Sequence, residues 1–182
     1  MNARTVLIGL FVAVVFGFML SATADVWCVA TNGIDATGDG TWAAPFATIQ
    51  KGIDTAAASG DTVLVSNGTY NISASVSIAK AVTVQSVNGP TNTIIRPSAG
   101  AFHVVSITAG NPVTLDGFTV RDSGSGGNGI YFLNSEGVVM MDVRIINCII
   151  TMNGGAGSAV GGIQSYLKTA SGDKLLIRNC LV

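Results

Sequence analysis

Ala81-Val82-Thr83-Val84, Pro112-Val113-Thr114-Leu115, Asp142-Val143-Arg144-Ile145 and Lys174-Leu175-Leu176-Ile177 are one pattern written four times. Their second residues stand at positions 82, 113, 143 and 175, a near-constant interval. Read down the columns, Val82, Val113, Val143 and Leu175 share one position, and Val84, Leu115, Ile145 and Ile177 share the position two further on. The positions between are mostly polar: Thr83, Thr114, Arg144 and Leu176, then Gln85, Asp116, Ile146 and Arg178. Alternation of this kind predicts a strand with one buried face, because successive side chains point to opposite sides. Its recurrence predicts a solenoid. One coil cannot bury its apolar face alone, whereas coils stacked in register make a continuous core.

Working outward along each copy, Val87, Phe118, Cys148 and Cys180 stand five residues on from the starts and are predicted as an inward core ladder. One place earlier stand Ser86, Gly117, Asn147 and Asn179. That is a corner position, where Asn and Gly tolerate a left-handed backbone and stacked asparagines can exchange side-chain hydrogen bonds. A second strand family is predicted at residues 102–107, 130–133 and 162–166, between copies of the first. Two or more short strands per coil, joined by Gly, Asn and Ser turns, describe an all-β, right-handed parallel β-helix. A β-sandwich also has short strands and turn signals, but it does not repeat the same column chemistry at a fixed interval.

Upstream of the coils, Phe46, Ile49, Ile53 and Ala56 recur at helical spacing, which predicts an amphipathic helix over residues 46–58. Pro45 is placed at its first turn, and Gly60 is available as a left-handed stop. Gly52 inside it should weaken the helix by about 1 kcal/mol. The stretch Val26-Trp27-Cys28-Val29-Ala30-Thr31-Asn32-Gly33, with Ala44-Pro45-Phe46-Ala47-Thr48-Ile49-Gln50-Lys51-Gly52-Ile53 and Gly60-Asp61-Thr62-Val63-Leu64-Val65, resembles a known opening. It is similar to the N-terminal block of secreted right-handed β-helix proteins of the pectate-lyase-like superfamily, among them a bacterial family of undefined function. The resemblance implies that the helix caps the N-terminal mouth of the solenoid. The superfamily includes lyases, hydrolases, epimerases, phage tailspikes and adhesins, so the resemblance does not choose a function.

At the start of the chain, Arg4 precedes an apolar run over residues 6–20, and Ala22-Thr23-Ala24 gives an A-x-A site before Asp25. This predicts a Sec-type signal peptide over residues 1–24, cleaved between Ala24 and Asp25, and a secreted or cell-surface protein without membrane contact after cleavage. The apolar run is shorter than the ~20 residues of a spanning helix. Residues 25–62 are then the N-terminal strand, loop and capping helix, and residues 63–182 the β-helix coils. The inward columns are still apolar at Val182, so the array reads as truncated at its C-terminus.

Nine Lys and Arg against ten Asp and Glu give a net charge of -1, with no clustered basic face for nucleic acid. Three cysteines make no complete disulfide framework, although Cys148 and Cys180 are close enough in the ladder for a bridge to stay open. A lyase of the superfamily's usual kind would need an acidic Ca²⁺ cluster with an Arg or Lys base. The outward columns offer Asp116 with Arg144 on the next coil and Arg178 beyond, which reads as a solvated cross-strand charge pair. Glu136, Asp142 and Asp122 do not stack as a hydrolase pair. Asp35 and Asp39-Gly40 suggest Asx turns over a calcium loop. His103, the single histidine, reads as structural. Catalytic, cofactor and metal residues are therefore expected to be absent from this stretch, with Ca²⁺ conceivable but unsupported. The expected partner is a polysaccharide or cell-surface component along an exposed flank, with Tyr131 and Tyr166 as contributors. The alternative is a carbohydrate-active enzyme, a polysaccharide lyase or glycoside hydrolase, whose catalytic coils lie beyond residue 182.

Overall fold

A computed structural model describes residues 23–57, 60–100, 102–108, 112–133, 142–155, 161–166 and 172–182. Residues 1–22 of the signal peptide expected over residues 1–24, and Glu136, lie outside the described residues. Strands are numbered along the chain. The first sheet contains β1 (Val26–Val29), β2 (Thr62–Val65), β5 (Val82–Ser86), β8 (Val113–Asp116), β11 (Asp142–Ile146) and β14 (Lys174–Arg178), in that order. The second contains β3 (Gly68–Ile72), β6 (Thr93–Pro97), β9 (Thr119–Arg121) and β12 (Ile149–Thr151). The third contains β4 (Val76–Ile78), β7 (Val105–Ile107), β10 (Ile130–Leu133) and β13 (Ile163–Tyr166). Every pairing among them is parallel. The chain visits the three sheets in rotation, and the molecule is a right-handed parallel β-helix.

The register is the one that the sequence columns require. Val82 pairs with Val113, Val113 with Val143 and Val143 with Leu175, while Val84, Leu115, Ile145 and Ile177 align beside them. Val84 and Ile145 are fully buried, and Val82, Val113, Leu115 and Val143 nearly so. At ~25 cal/mol per Å² of apolar surface removed from water, each such side chain contributes about 1.5–3 kcal/mol.

The ladder predicted at Val87, Phe118, Cys148 and Cys180 needs correction at its first rung. Phe118 and Cys148 are buried and Cys180 packs against the core, but Val87 is 45% exposed. In that coil the inward residue is Ser86, whose hydroxyl bonds Thr93 Oγ1 at 2.7 Å inside the core. The polar pair satisfies itself, so the coil turns without an apolar rung. Cys28, Cys148 and Cys180 are all free thiols.

The corner position behaves as its residues dictate. Gly117, Asn147 and Asn179 have φ of 81, 54 and 53°. Asn179 Nδ2 donates to Asn147 Oδ1 at 3.3 Å, Asn147 Nδ2 to Asp116 Oδ1 at 2.8 Å, and Gln85 Nε2 to Asp116 Oδ2 at 3.0 Å. A polar ladder thus runs up the outside of the bend.

The helix, α1 (Ile49–Thr55), is shorter than predicted at both ends. Thr48 is its N-cap, accepting from Lys51 N, and Ala56 closes it. Phe46 belongs instead to a parallel bridge with Val29, so Pro45 precedes the helix altogether. Gly60 has φ of 95°, but beyond the helix end. Ile49 and Ile53 face the first coil, where α1 packs on β1, β2 and β4. Gly52 is there for contact. A methyl group on it would stand 2.7 Å from Val63 Cγ1 and 3.0 Å from Val29 Cγ2.

Candidate functional site

The third sheet points Val76, Ile78, Val105, Ile107, Ile130 and Phe132 into the core. Strand alternation therefore sends the residues between them outward. Ser77, Ser106, Tyr131 and Gln164 align in one outward row across β4, β7, β10 and β13, with Leu133 and Tyr166 in a second. His103 lies just before β7. Its ring stacks on Tyr131 with centroids 4.2 Å apart and planes 3° from parallel. Tyr166 meets the other side of Tyr131 edge-on, at 5.9 Å and 62°. Three rings from successive coils thus form one aromatic strip, open to solvent at Tyr166, which is 54% exposed.

Beneath the strip lies Asn128, which is fully buried. Its backbone N–H donates to His103 Nδ1 at 3.1 Å, and its Nδ2 donates to Gln164 Oε1 at 2.7 Å. Gln164 Nε2 in turn donates to the Tyr166 hydroxyl at 2.9 Å. Because Nδ1 accepts a backbone N–H, the imidazole is neutral and carries its proton on Nε2. Burial pushes the His103 pKa down, in keeping with that state. Asn128 Oδ1 is buried without a hydrogen-bond partner, the kind of orphan that costs about 1–3 kcal/mol when it stays unmet.

The face continues past β4 onto the cap. Gln50 of α1 accepts from Ser77 N at 2.7 Å and donates to Ser77 O at 3.2 Å. Next to it is an open cleft of about 260 Å³, lined by Thr48, Gln50, Asn71, Ser73 and Ser75 among others.

The acidic residues singled out in the sequence are not gathered into one site. Asp116 and Arg144 do not pair, because register sets Arg144 beside Thr114 and Asp116 beside Ile146. Arg144 turns to Asp142 on its own strand at 3.0 Å, and Asp116 joins the corner ladder. Arg178 stands beside Ile146. Asp122, with φ of 62°, holds Arg121 at 2.9 Å and Arg96 at 3.6 Å on the second sheet. Asp35 accepts from the backbone N–H of Ala47 and Thr48 and from Thr48 Oγ1, which fixes the approach to α1. Asp39 makes an Asx turn to Thr41 N at 2.9 Å, and that bond lowers its pKa. Among the described residues no three His, Cys, Asp or Glu side chains are grouped to hold a metal ion, and no helix is long and apolar enough to cross a membrane.

Tyr131 and Tyr166 lie together as the sequence suggested. His103 and Asn128 were not legible as partners of theirs. The available signal was a lone histidine entering the strand family that carries both tyrosines.

Comparison with protein-family models and with curated proteins yields no match. Among solved structures, the fold is similar to that of a rhamnogalacturonan lyase, with a TM-score of 0.59 and 17% sequence identity. The match covers 86% of this chain and 51% of the lyase, so the chain spans about half the length of that neighbour. At this identity the likeness concerns the β-helix fold.

Proposed function

We propose that the protein is exported and binds an extended polysaccharide along the outer face of β4, β7, β10 and β13. The observation that carries this reading is the His103–Tyr131–Tyr166 strip. Pyranose rings have apolar C–H faces that rest on aromatic planes, and their hydroxyls need amide and hydroxyl partners beside those planes. Gln164, Ser106 and Ser77 supply such groups along one outward row, and the buried Asn128 holds Gln164 in place from beneath. Strands about 4.8 Å apart repeat the surface along the solenoid, which suits a linear polymer better than a compact ligand. The test is retention of wild type, Tyr131→Ala and Tyr166→Ala on a panel of immobilised plant and bacterial polysaccharides. Each truncation should weaken binding about tenfold, equivalent to ~1.4 kcal/mol of stacking, with an unchanged circular dichroism spectrum. Equal retention of all three proteins would refute it.

A second reading, a polysaccharide lyase, is favoured by the neighbour's fold and by Arg96 and Arg121 converging on Asp122. Guanidiniums of this kind pair with uronate carboxylates. The same incubations, run with and without Ca²⁺, report eliminative cleavage through the absorbance of an unsaturated product. Neither retention nor product on any polymer would reject both readings.

A further inference from the structure

The Asp61 carboxylate is buried at the N-terminal corner, only 1% exposed. Its Oδ2 accepts from Trp27 Nε1 at 3.0 Å and from Ala57 N at 2.8 Å. Its Oδ1 accepts at 2.9 Å from the backbone nitrogen of Asp25. That nitrogen is half of the Ala24–Asp25 peptide bond, the bond at which the sequence places leader cleavage. Thr23, Ala24, Asp25 and Val26 are all exposed, so a peptidase can reach the bond. The residue after it is held from both ends, since Thr62 N also donates to the Asp25 carbonyl at 2.8 Å.

We propose that Asp61 is the docking site for the mature N-terminus: cleavage after Ala24 creates an α-ammonium on Asp25 that remains seated on the buried carboxylate. The chemistry is hydrolysis by an export-linked peptidase. Water adds across the C–N bond, its oxygen going to the Ala24 carbonyl carbon, which leaves as carboxylate. The Asp25 nitrogen keeps its proton and gains two more. A neutral N–H···O bond becomes a charge-assisted one without movement of either partner, and such bonds are about twice as strong. Processing therefore fastens β1, and with it the cap, to the first coil. This inference rests on the export reading and is independent of what the aromatic face binds.

An ammonium on a buried carboxylate has a pKa above the ordinary α-amino value of about 7.7–8.0. Its contribution to stability is then fully present below that ordinary value and is lost as pH rises through the raised one. The charged groups on the surrounding elements are the Asp25 side chain, Asp35 and Asp39 in the loop after β1, Lys51 and Asp54 on α1, and Lys80 before β5.

The experiment expresses the full chain in a bacterial host that exports it, and reads the mature N-terminus by mass spectrometry. Nα-acylation rates are then compared for native and urea-unfolded protein across pH 6–10. The expected result is an N-terminus at Asp25 that reacts about tenfold more slowly at pH 6.5 when native, one pKa unit being tenfold at a pH well below both values. Asp61→Asn should abolish the protection. If that variant fails to fold, the wild-type native-against-unfolded ratio decides alone. Cleavage at another bond, or an Asp25 amine with ordinary native reactivity, overturns the docking proposal and leaves export standing. An unprocessed, unexported chain overturns both.

Discussion

At the scale of single residues, burial holds two titratable side chains in their neutral forms, lowering the pKa of one and raising that of the other. His103 is the protein's one histidine, so no other side chain has an ordinary pKa between pH 5.5 and 7.5. Burial holds its folded pKa below the ordinary value of about 6.5. The stability tied to the neutral ring is therefore intact above pH 6.5 and is lost as pH falls through the depressed folded value. Protonation also puts a hydrogen on Nδ1, where Asn128 N–H already points. Thermal unfolding followed from pH 7.5 to 5.5 should show a declining Tm, and His103→Gln should flatten the decline. Polysaccharide retention should fall over the same range, because Tyr131 loses the ring against which it is stacked. Cys148 is the contrasting case. Burial pushes its thiol up to about 12, so it holds almost no thiolate at neutral pH. Disulfide-exchange reagents at pH 8 should leave Cys148 unmodified in the native protein and react with it only after denaturation, as peptide mapping would report. Rapid native labelling of Cys148 would contradict its placement in the core.

At the scale of elements, local propensity and packing disagree at α1, and packing prevails. On propensity alone Gly52→Ala should stabilise the helix by about 1 kcal/mol. The added methyl, however, would press on Val63 and Val29, and overpacking of this kind costs about 1–3 kcal/mol. The substitution should therefore destabilise the protein by up to about 2 kcal/mol in urea denaturation; a gain in stability would mean that the helix is not seated on β1 and β2. This is also where sequence reading reached its limit. Helical spacing marks Ile49 and Ile53 correctly, yet Phe46 satisfies the same spacing while pairing with Val29 as a strand residue. An apolar side chain at the end of a helix period is equally compatible with a bridge to a distant strand. The corners were more legible, because a left-handed backbone selects its residues chemically. Both Asn147→Gly and Asn147→Ala break the bond to Asp116, but only alanine also forces a Cβ into φ of 54°, so alanine should cost more than glycine. A loss of about 1–3 kcal/mol is expected for alanine, measured by the same denaturation.

At the scale of the whole molecule, the repeat itself carried the fold, since four aligned columns can be satisfied only by parallel stacking in register. The face proposed to bind was not legible in the same way. Tyr131 and Gln164 stand at one register position and His103 lies beside Asn128 at another, but these columns repeat no common residue type, so nothing in the sequence marks them as a face. A solenoid also distributes stability in a line, each coil resting on its neighbours. β5 and β8 are covered by strands on both sides and bury their inward residues, whereas β14 pairs on one side with β11 and is mostly exposed. Leu176 and Ile177 within it are 45% and 44% exposed. Opening free energies should accordingly fall from the middle of the first sheet toward β14. Native-state hydrogen exchange is expected to give the slowest amides in β5 and β8 and the fastest strand amides in β14. Phe118→Ala sharpens the test, because removing a fully buried ring costs about 3–5 kcal/mol. In a linear array that loss is felt first by the adjoining strands β8, β11, β9 and β12, while β1 and β2 under α1 keep their protection. Uniform acceleration at every strand would mean that the coils unfold as one cooperative unit, with nearest-neighbour stacking too tightly coupled to separate.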